Sequence, residues 1–182
     1  KELGIKPYKN LKCKGAEMFG KLVKLFNEEK PNLVIVYGDT LSTLMGALAA
    51  KYARVKLAHI EAGCRSYTNM PEEINRVLVD RIADVRIATT LNARKNLYQE
   101  GLDKDSYYVN GDPMFDVMNR FLPIKRTKDY HKYILLTIHR DFNTDNYDRL
   151  KGIFEGIGTQ ERVIFPCHPR TRTAIKTAHI TL

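Results

Sequence analysis

The sequence predicts an α/β protein built on parallel sheet, and three observations carry that expectation. Short apolar runs recur along the chain at Leu33–Tyr37, 55–60, 85–90, 106–111, 133–138 and 163–167. Segments with helical spacing of apolar residues separate them. Strands that alternate with helices call for parallel pairing, because each crossover helix returns the chain to the same end of the sheet.

In chain order, residues 16–30 place Met18, Leu22, Leu25 and Phe26 at helical spacing before Pro31 and Asn32 end the run. Leu33 to Tyr37 is continuously apolar, which predicts a strand covered on both faces. Gly38 and Asp39 make a tight turn, and Leu41 to Tyr52 forms an Ala- and Leu-rich helix with Thr40 or Ser42 to cap it. A second strand, 55–60, leads into an irregular loop from Gly63 to Met70. The next helix opens at Pro71, a residue suited to the first helical turn because its missing amide hydrogen would have no acceptor there. On it Ile74, Val77, Leu78, Arg81 and Ile82 share one side, while Glu72 and Arg76 project together from the other.

Residues 85–90 read as strand, 91–100 as helix stopped by Gly101, and 106–111 as strand. Asp112 and Pro113 start a helix that runs through Leu122. Residues 123–131 are polar, basic and Pro-containing, and read as a linker. A second β/α series follows, with strand 133–138 ending in His139 and Arg140, a helix 147–157, and strand 163–167 ending in His168, Pro169, Arg170, Thr171 and Arg172. The expected organisation is two Rossmann-like units, 1–122 and 123–182. The second is too short to be complete, since a doubly wound domain usually needs about 100 residues.

Composition narrows the function classes. An apolar fraction of 43% with 28% charged residues indicates a globular chain and excludes disorder. Lys plus Arg exceed Asp plus Glu by nine (30 against 21), so an anionic partner is favoured. The basic residues are spread rather than clustered, which argues against nucleic acid and fits a nucleotide or sugar nucleotide. Cys13, Cys64 and Cys167 are odd in number and far apart, so neither a disulfide framework nor a zinc site is expected, and the compartment reads as reducing. No apolar run approaches the roughly 20 residues of a bilayer span, and the expected setting is cytoplasmic, away from any membrane.

Open α/β sheets bind ligands beyond the carboxyl ends of their strands, and Asp39 and Glu61 both occupy such ends. Asp39 either caps the helix that follows or stands at the mouth of the sheet. Glu61, in HIEAG, has no cap to make, and either pairs with Arg65 or belongs to an active site. Glu72 and Glu73 suit the first helical turn through the helix dipole alone. The set His139, Arg140, His168, Arg170 and Arg172 is either a phosphate-binding group or a solvated basic rim. No P-loop, G-x-G-x-x-G, G-x-S-x-G or metal constellation is present in the sequence.

The segments GDTLSTLMGALAA, AHIEAGCRS, MPEEINRVLVDRIAD, TTLNARKNLYQEG, VNGDPMFDVM, LLTIHRDFN and FPCHPRTR, in this order, resemble the non-hydrolysing UDP-N-acetylglucosamine 2-epimerases. The match runs from about Leu33 to Arg172. The resemblance implies a two-lobed fold of the glycosyltransferase-B type, with the sugar nucleotide in the cleft between lobes and no cofactor. It implies interconversion of UDP-GlcNAc and UDP-ManNAc by elimination of UDP to a glycal and re-addition on the other face. By motif, the family's catalytic carboxylates correspond to Asp39, Glu61 and Glu72, and its active-site histidine to His139. Arg65, Arg76, Arg140, His168 and Arg170 are expected around the UDP-sugar, and the partner is expected to be a second copy in a homodimer.

Three departures qualify the match. The family's N-terminal strand with its Gly-Thr-Arg-Pro-Glu loop is absent, its later Ser-Gly-Gly and Glu-Glu-Ala segment is absent, and the loop between Arg65 and Pro71 is short. Both lobes are therefore expected to be incomplete, and the chain to be the middle portion of a longer enzyme. The short RSYTNMPEEINR loop and GDPMFDVM also resemble epimerases acting on UDP-2,3-diacetamido-glucuronate. A transferase of the same fold, or a UDP-binding fragment without epimerase activity, is the reading from a different class.

Overall fold

The computed structural model describes residues 3–4, 11–102, 104–108, 111–122, 132–158 and 162–180. The chain divides into two compact units, Lys1–Pro123 and Ile124–Leu182. The expected linker, 123–131, lies outside the described residues.

The first unit runs α1 (Leu11–Glu29), β1 (Leu33–Tyr37), α2 (Leu41–Tyr52), β2 (Lys56–Ile60), α3 (Pro71–Ile82), β3 (Val85–Ala88), α4 (Leu91–Gln99), β4 (Ser106–Tyr108) and α5 (Pro113–Phe121). The described strands form one parallel sheet in the order β1-β2-β3-β4. Register pairs Leu33 with Lys56 through Tyr37 with Ile60, then Ala58 with Val85, and Arg86 with Ser106. This register brings the ends of β1 and β2 level, which sets Gly38 and Glu61 side by side. Hydroxyl and carboxyl caps start the helices as their sequences require: Thr40 accepts from the Thr43 amide at 3.4 Å, Thr90 from Ala93 at 3.1 Å and Asp112 from Met114 at 2.8 Å.

Small residues let α2 lie close to the sheet. Ala47 and Ala50 pack with Val36, Leu57, Val79 and Ala83, and a Cβ at Gly46 would meet the Val36 side chain at 3.3 Å. A second buried cluster, Ala62, Ala88, Ala93 and Leu97, joins the other half of the sheet to α4.

Two expectations are corrected here. β1 is covered on one face only: Val36 is buried, yet Leu33, Ile35 and Tyr37 are exposed. A continuous apolar strand needs a layer on each side, and among the described residues only the α2 side supplies one. On α3 the buried residues are Glu73, Asn75, Val79 and Asp80, while Ile74 and Leu78 are exposed. The polar side of this helix faces inward because, as shown below, each buried polar group has a charged or backbone partner.

The second unit runs β5 (Ile134–Leu135), α6 (Asp141–Thr144), α7 (Tyr147–Ile157), β6 (Val163–Ile164) and α8 (Pro169–Thr177), with β5 parallel to β6. Leu150 is fully buried, and the buried Thr171 hydroxyl donates to the Ile138 carbonyl, tying α8 to the segment after β5. Sequence spacing misses α6 and α8; α8 begins inside the segment read as a basic strand end. Among the described residues, no helix is long and apolar enough to cross a membrane.

Candidate active site

At the end of β1 the chain turns through Gly38, whose φ of 70° favours glycine, and its amide donates to the Ile60 carbonyl at 3.1 Å. Beyond β2, Glu61 itself adopts a φ of 68°. A non-glycine residue in that region costs roughly 1–2 kcal/mol and persists where surrounding bonds over-determine it. Those bonds are present: the Ala62 amide donates to the Ile87 carbonyl at 3.1 Å, and Tyr37 Oη donates to Glu61 Oε1 at 3.0 Å. A Cβ at Gly38 would lie 3.2 Å from Glu61 Oε2, so the carboxylate rests against bare backbone. Asp112 Oδ1 stands 3.4 Å from the same phenol. Burial, then the hydrogen bond to Glu61, push the Tyr37 phenol well above its ordinary range.

Asp39 is held from α3. Its carboxylate accepts from Arg76 Nη2 and its carbonyl from the buried Asn75 amide at 2.8 Å. Arg76 Nη1 also donates to Glu73 Oε2 at 3.1 Å. Glu73 in turn accepts from Ser66 N at 2.8 Å, Ser66 Oγ at 2.9 Å and Tyr67 N at 3.3 Å, which fastens the irregular loop onto α3. Burial would raise the Glu73 carboxyl, but the Ser66 and Tyr67 bonds outweigh it and hold the group below its usual range. Burial likewise pulls on Arg76, and Asp39 and Glu73 outweigh that to strengthen its cationic form. Arg76 thus bridges Asp39 and Glu73, and the expected pairing with Glu72 gives way to this bridge. Glu72 sits half-buried in the first turn of α3 beside it. Sequence reasoning took Glu73 for a dipole partner; its i, i+3 spacing to Arg76 was the available signal.

Arg65 pairs with Glu100 and Asp80 rather than with Glu61. Its guanidinium donates to Glu100 from Nε at 2.7 Å and Nη2 at 2.9 Å, lies 2.7 Å from Asp80 Oδ2 through Nη1, and is 1% exposed. Burial works against its charge, but Glu100 and Asp80 more than offset this. Asp80 and His59 are both fully buried and bonded to each other at 2.6 Å. Sequence reading missed this pair, because an acid inside a helix and a histidine inside a strand carry no local signature.

In the second unit the strand ends bring His139 and His168 together, with ring centroids 5.7 Å apart. His168 Nδ1 accepts from the Arg170 amide at 3.2 Å, so that nitrogen bears no hydrogen and the residue caps α8. Arg170 is engaged by α6 and its exit, through Thr144 Oγ1 at 2.9 Å and Asp145 Oδ2 at 2.6 Å. Arg140 precedes α6, and Arg172 is exposed on α8. A groove of about 870 Å³ in this unit is lined by Leu136, Phe154, Val163 and Phe165 among others, and none of the expected site residues lines it.

Residues 3–181 match the family model described as UDP-N-acetylglucosamine 2-epimerase. The chain belongs to this family. A UDP-N-acetylglucosamine 2-epimerase homolog of Methanococcus maripaludis is 44% identical over 168 residues, covering 86% of this chain and 47% of that protein. The UDP-2,3-diacetamido-2,3-dideoxy-D-glucuronate 2-epimerase of Pseudomonas aeruginosa is 45% identical over 161 residues, covering 82% and 45%. The crystal structure of Methanocaldococcus jannaschii UDP-GlcNAc 2-epimerase in complex with UDP-GlcNAc and UDP superposes with a TM-score of 0.81 at 38% identity, covering 91% of this chain and 50% of that one. This member of the epimerase family therefore shares their α/β, glycosyltransferase-B-type fold class and spans about half the length of the relatives it matches.

Proposed function

We propose that this chain carries the acidic half of the catalytic machinery of a UDP-N-acetylglucosamine 2-epimerase. The observation that supports it best is the adjacency of Asp39 and Glu61 at the ends of neighbouring parallel strands in a chain of that family. Epimerisation at C2 needs a base to take the C2 proton while the C1–O bond breaks and its electron pair leaves with UDP. Re-addition of UDP to the resulting glycal returns the proton on the other face. Asp39, Glu61 and Glu72 are the carboxyl groups for that proton. His139, Arg140 and His168 supply imidazole and cationic donors toward the diphosphate. Arg76 holds Asp39 in place, Arg65, with its donors committed to Glu100 and Asp80, acts as a support, and Arg170 is engaged by Thr144 and Asp145. The free thiols of Cys64 and Cys167 fit a cytoplasmic setting, and the working enzyme is a homodimer.

The test uses the full polypeptide carrying these residues, incubated with UDP-GlcNAc in D2O and no acceptor. UDP-ManNAc with deuterium at C2 is the expected product; absence of both product and exchange overturns the reading, and release of free ManNAc makes the enzyme a hydrolase. Asp39→Asn, Glu61→Gln and Glu72→Gln then sort the proton carriers, since a variant with unimpaired exchange leaves that role. A second substrate, UDP-2,3-diacetamido-glucuronate, is favoured by the 45% identity to the Pseudomonas enzyme and by the net charge of +9, and belongs in the same panel.

A further inference from the structure

The two turns that carry Asp39 and Glu61 share an anchor that makes no contact with either carboxylate. Asp80, fully buried on α3, accepts from or shares a proton with His59 Nδ1 through Oδ1 at 2.6 Å, and accepts the Gly63 amide through Oδ2 at 2.9 Å. His59 Nε2 lies 2.8 Å from the Gly38 carbonyl. A carbonyl oxygen only accepts, so Nε2 bears a hydrogen and donates it. Gly38 immediately precedes Asp39, and Gly63 closes the turn that contains Glu61. One carboxylate therefore reaches the β1 turn through an imidazole and the β2 turn through an amide.

The anchor is itself fixed on every side. Arg65 Nη1 lies 2.7 Å from Asp80 Oδ2, and Arg65 is clamped by Glu100 of the α4 end. The Asp80 carbonyl accepts from Arg86 Nε of β3 at 2.6 Å. Burial disfavours the charged carboxylate, yet His59, Gly63 and Arg65 together hold Asp80 below its usual range. Asp80 and His59 are both fully buried, so a role in binding substrate directly is excluded for them.

We propose that Asp80, acting through His59 and the Gly63 amide, is a positioning residue that sets the spacing between the Asp39 and Glu61 carboxylates. The kinetic arm of this proposal rests on the epimerase reading above; its structural arm does not. A displacement of about 1 Å between reacting groups is worth on the order of 100-fold in rate.

Four measurements on the full polypeptide test it. In the unaltered protein, a His59 Nε2–H nuclear magnetic resonance signal should be protected from exchange and coupled across the hydrogen bond to the Gly38 carbonyl carbon. With UDP-GlcNAc, His59→Phe should lower kcat on the order of 100-fold and change KM less than about threefold. His59→Gln, whose amide can donate from the Nε2 position, should recover most of that loss. Asp80→Ala, which can neither donate to nor accept from Nδ1, should abolish the coupled signal. A bare Nε2 in the unaltered protein overturns the proposal even if the variants do not fold. Equal losses in His59→Phe and His59→Gln, or a kcat that follows the unfolded fraction, overturn it as well. A protein inert toward UDP-GlcNAc whose coupled signal still vanishes in Asp80→Ala refutes the epimerase reading and leaves the anchor standing.

Discussion

Gly63→Ala is the substitution for which the structure gives the clearest magnitude. Gly63 has a φ of 81°, and an added Cβ would overlap the Ala93 carbonyl oxygen and stand 2.8 Å from both the Ala93 carbonyl carbon and Leu97 Cγ. The left-handed backbone alone costs an alanine roughly 1–2 kcal/mol. Relieving the overlap requires moving the first turn of α4, whose Ala93 and Leu97 are buried, and overpacking of that kind costs about 1–3 kcal/mol. The sum, roughly 2–5 kcal/mol, is a large fraction of the 5–15 kcal/mol that typically separates folded from unfolded domains. With a urea slope of about 1–3 kcal/mol per molar, the unfolding midpoint of the first unit, read by far-ultraviolet circular dichroism, should fall by on the order of 1–2 M. Gly20→Ala is the control, because a Cβ there meets nothing within 4 Å on a helix. It should stabilise the unit by up to about 1 kcal/mol and so raise the midpoint slightly. A Gly63→Ala midpoint within about 0.3 M of the parent would refute the reasoning.

Other expectations follow from the same contacts. Arg76→Met removes the donor to Asp39 and Glu73 together, and at about 1.5–3 kcal/mol for a bond to a charged group it should lower kcat/KM at least tenfold in a steady-state assay, with Arg76→Lys recovering little because one ammonium does not span both acids. Glu73 and Asp80 both have folded-state pKa values below their unfolded ones, so their contribution is complete above the unfolded value near about 4 and is lost as pH falls through the folded values. Urea midpoints should therefore be level above about pH 5 and drop below about pH 4, and Glu73→Gln should shallow that acid limb. In the second unit, Thr171→Val should cost about 1–2 kcal/mol by leaving the Ile138 carbonyl unpartnered, seen as faster amide exchange in α8. Arg170→Met, at an exposed pair, should leave the stability of that unit nearly unchanged.

The sequence was most legible where local chemistry decides the outcome. The bounds of β1, α2 and α7 follow directly from apolar runs and their caps, and Pro71 marks the start of α3. In the second unit the apolar runs outlast the strands, and 133–138 and 163–167 contain only the two-residue strands Ile134–Leu135 and Val163–Ile164. Apolar side chains continue there after ladder pairing stops, and periodicity cannot see pairing. Periodicity points α3 the wrong way because Ile74 and Leu78 look like a core face, whereas Glu73 is buried against Ser66, Tyr67 and Arg76, and Asp80 against the more distant His59, Gly63 and Arg65. The same blindness hid the site's supports. Motifs pointed to Asp39 and Glu61, but Tyr37, Asn75 and His59 meet them or their turns only after residues 20 or more apart are brought together, and no spacing rule encodes such meetings.

A phenol owns a single hydrogen, and Tyr37 stands between two claimants for it, Glu61 at 3.0 Å and Asp112 at 3.4 Å. The shorter reach is to Glu61, and Asp112 also accepts the Met114 amide that starts α5. One hydroxyl thus ties the end of β1 both to the turn after β2 and to the root of a helix that begins more than fifty residues later.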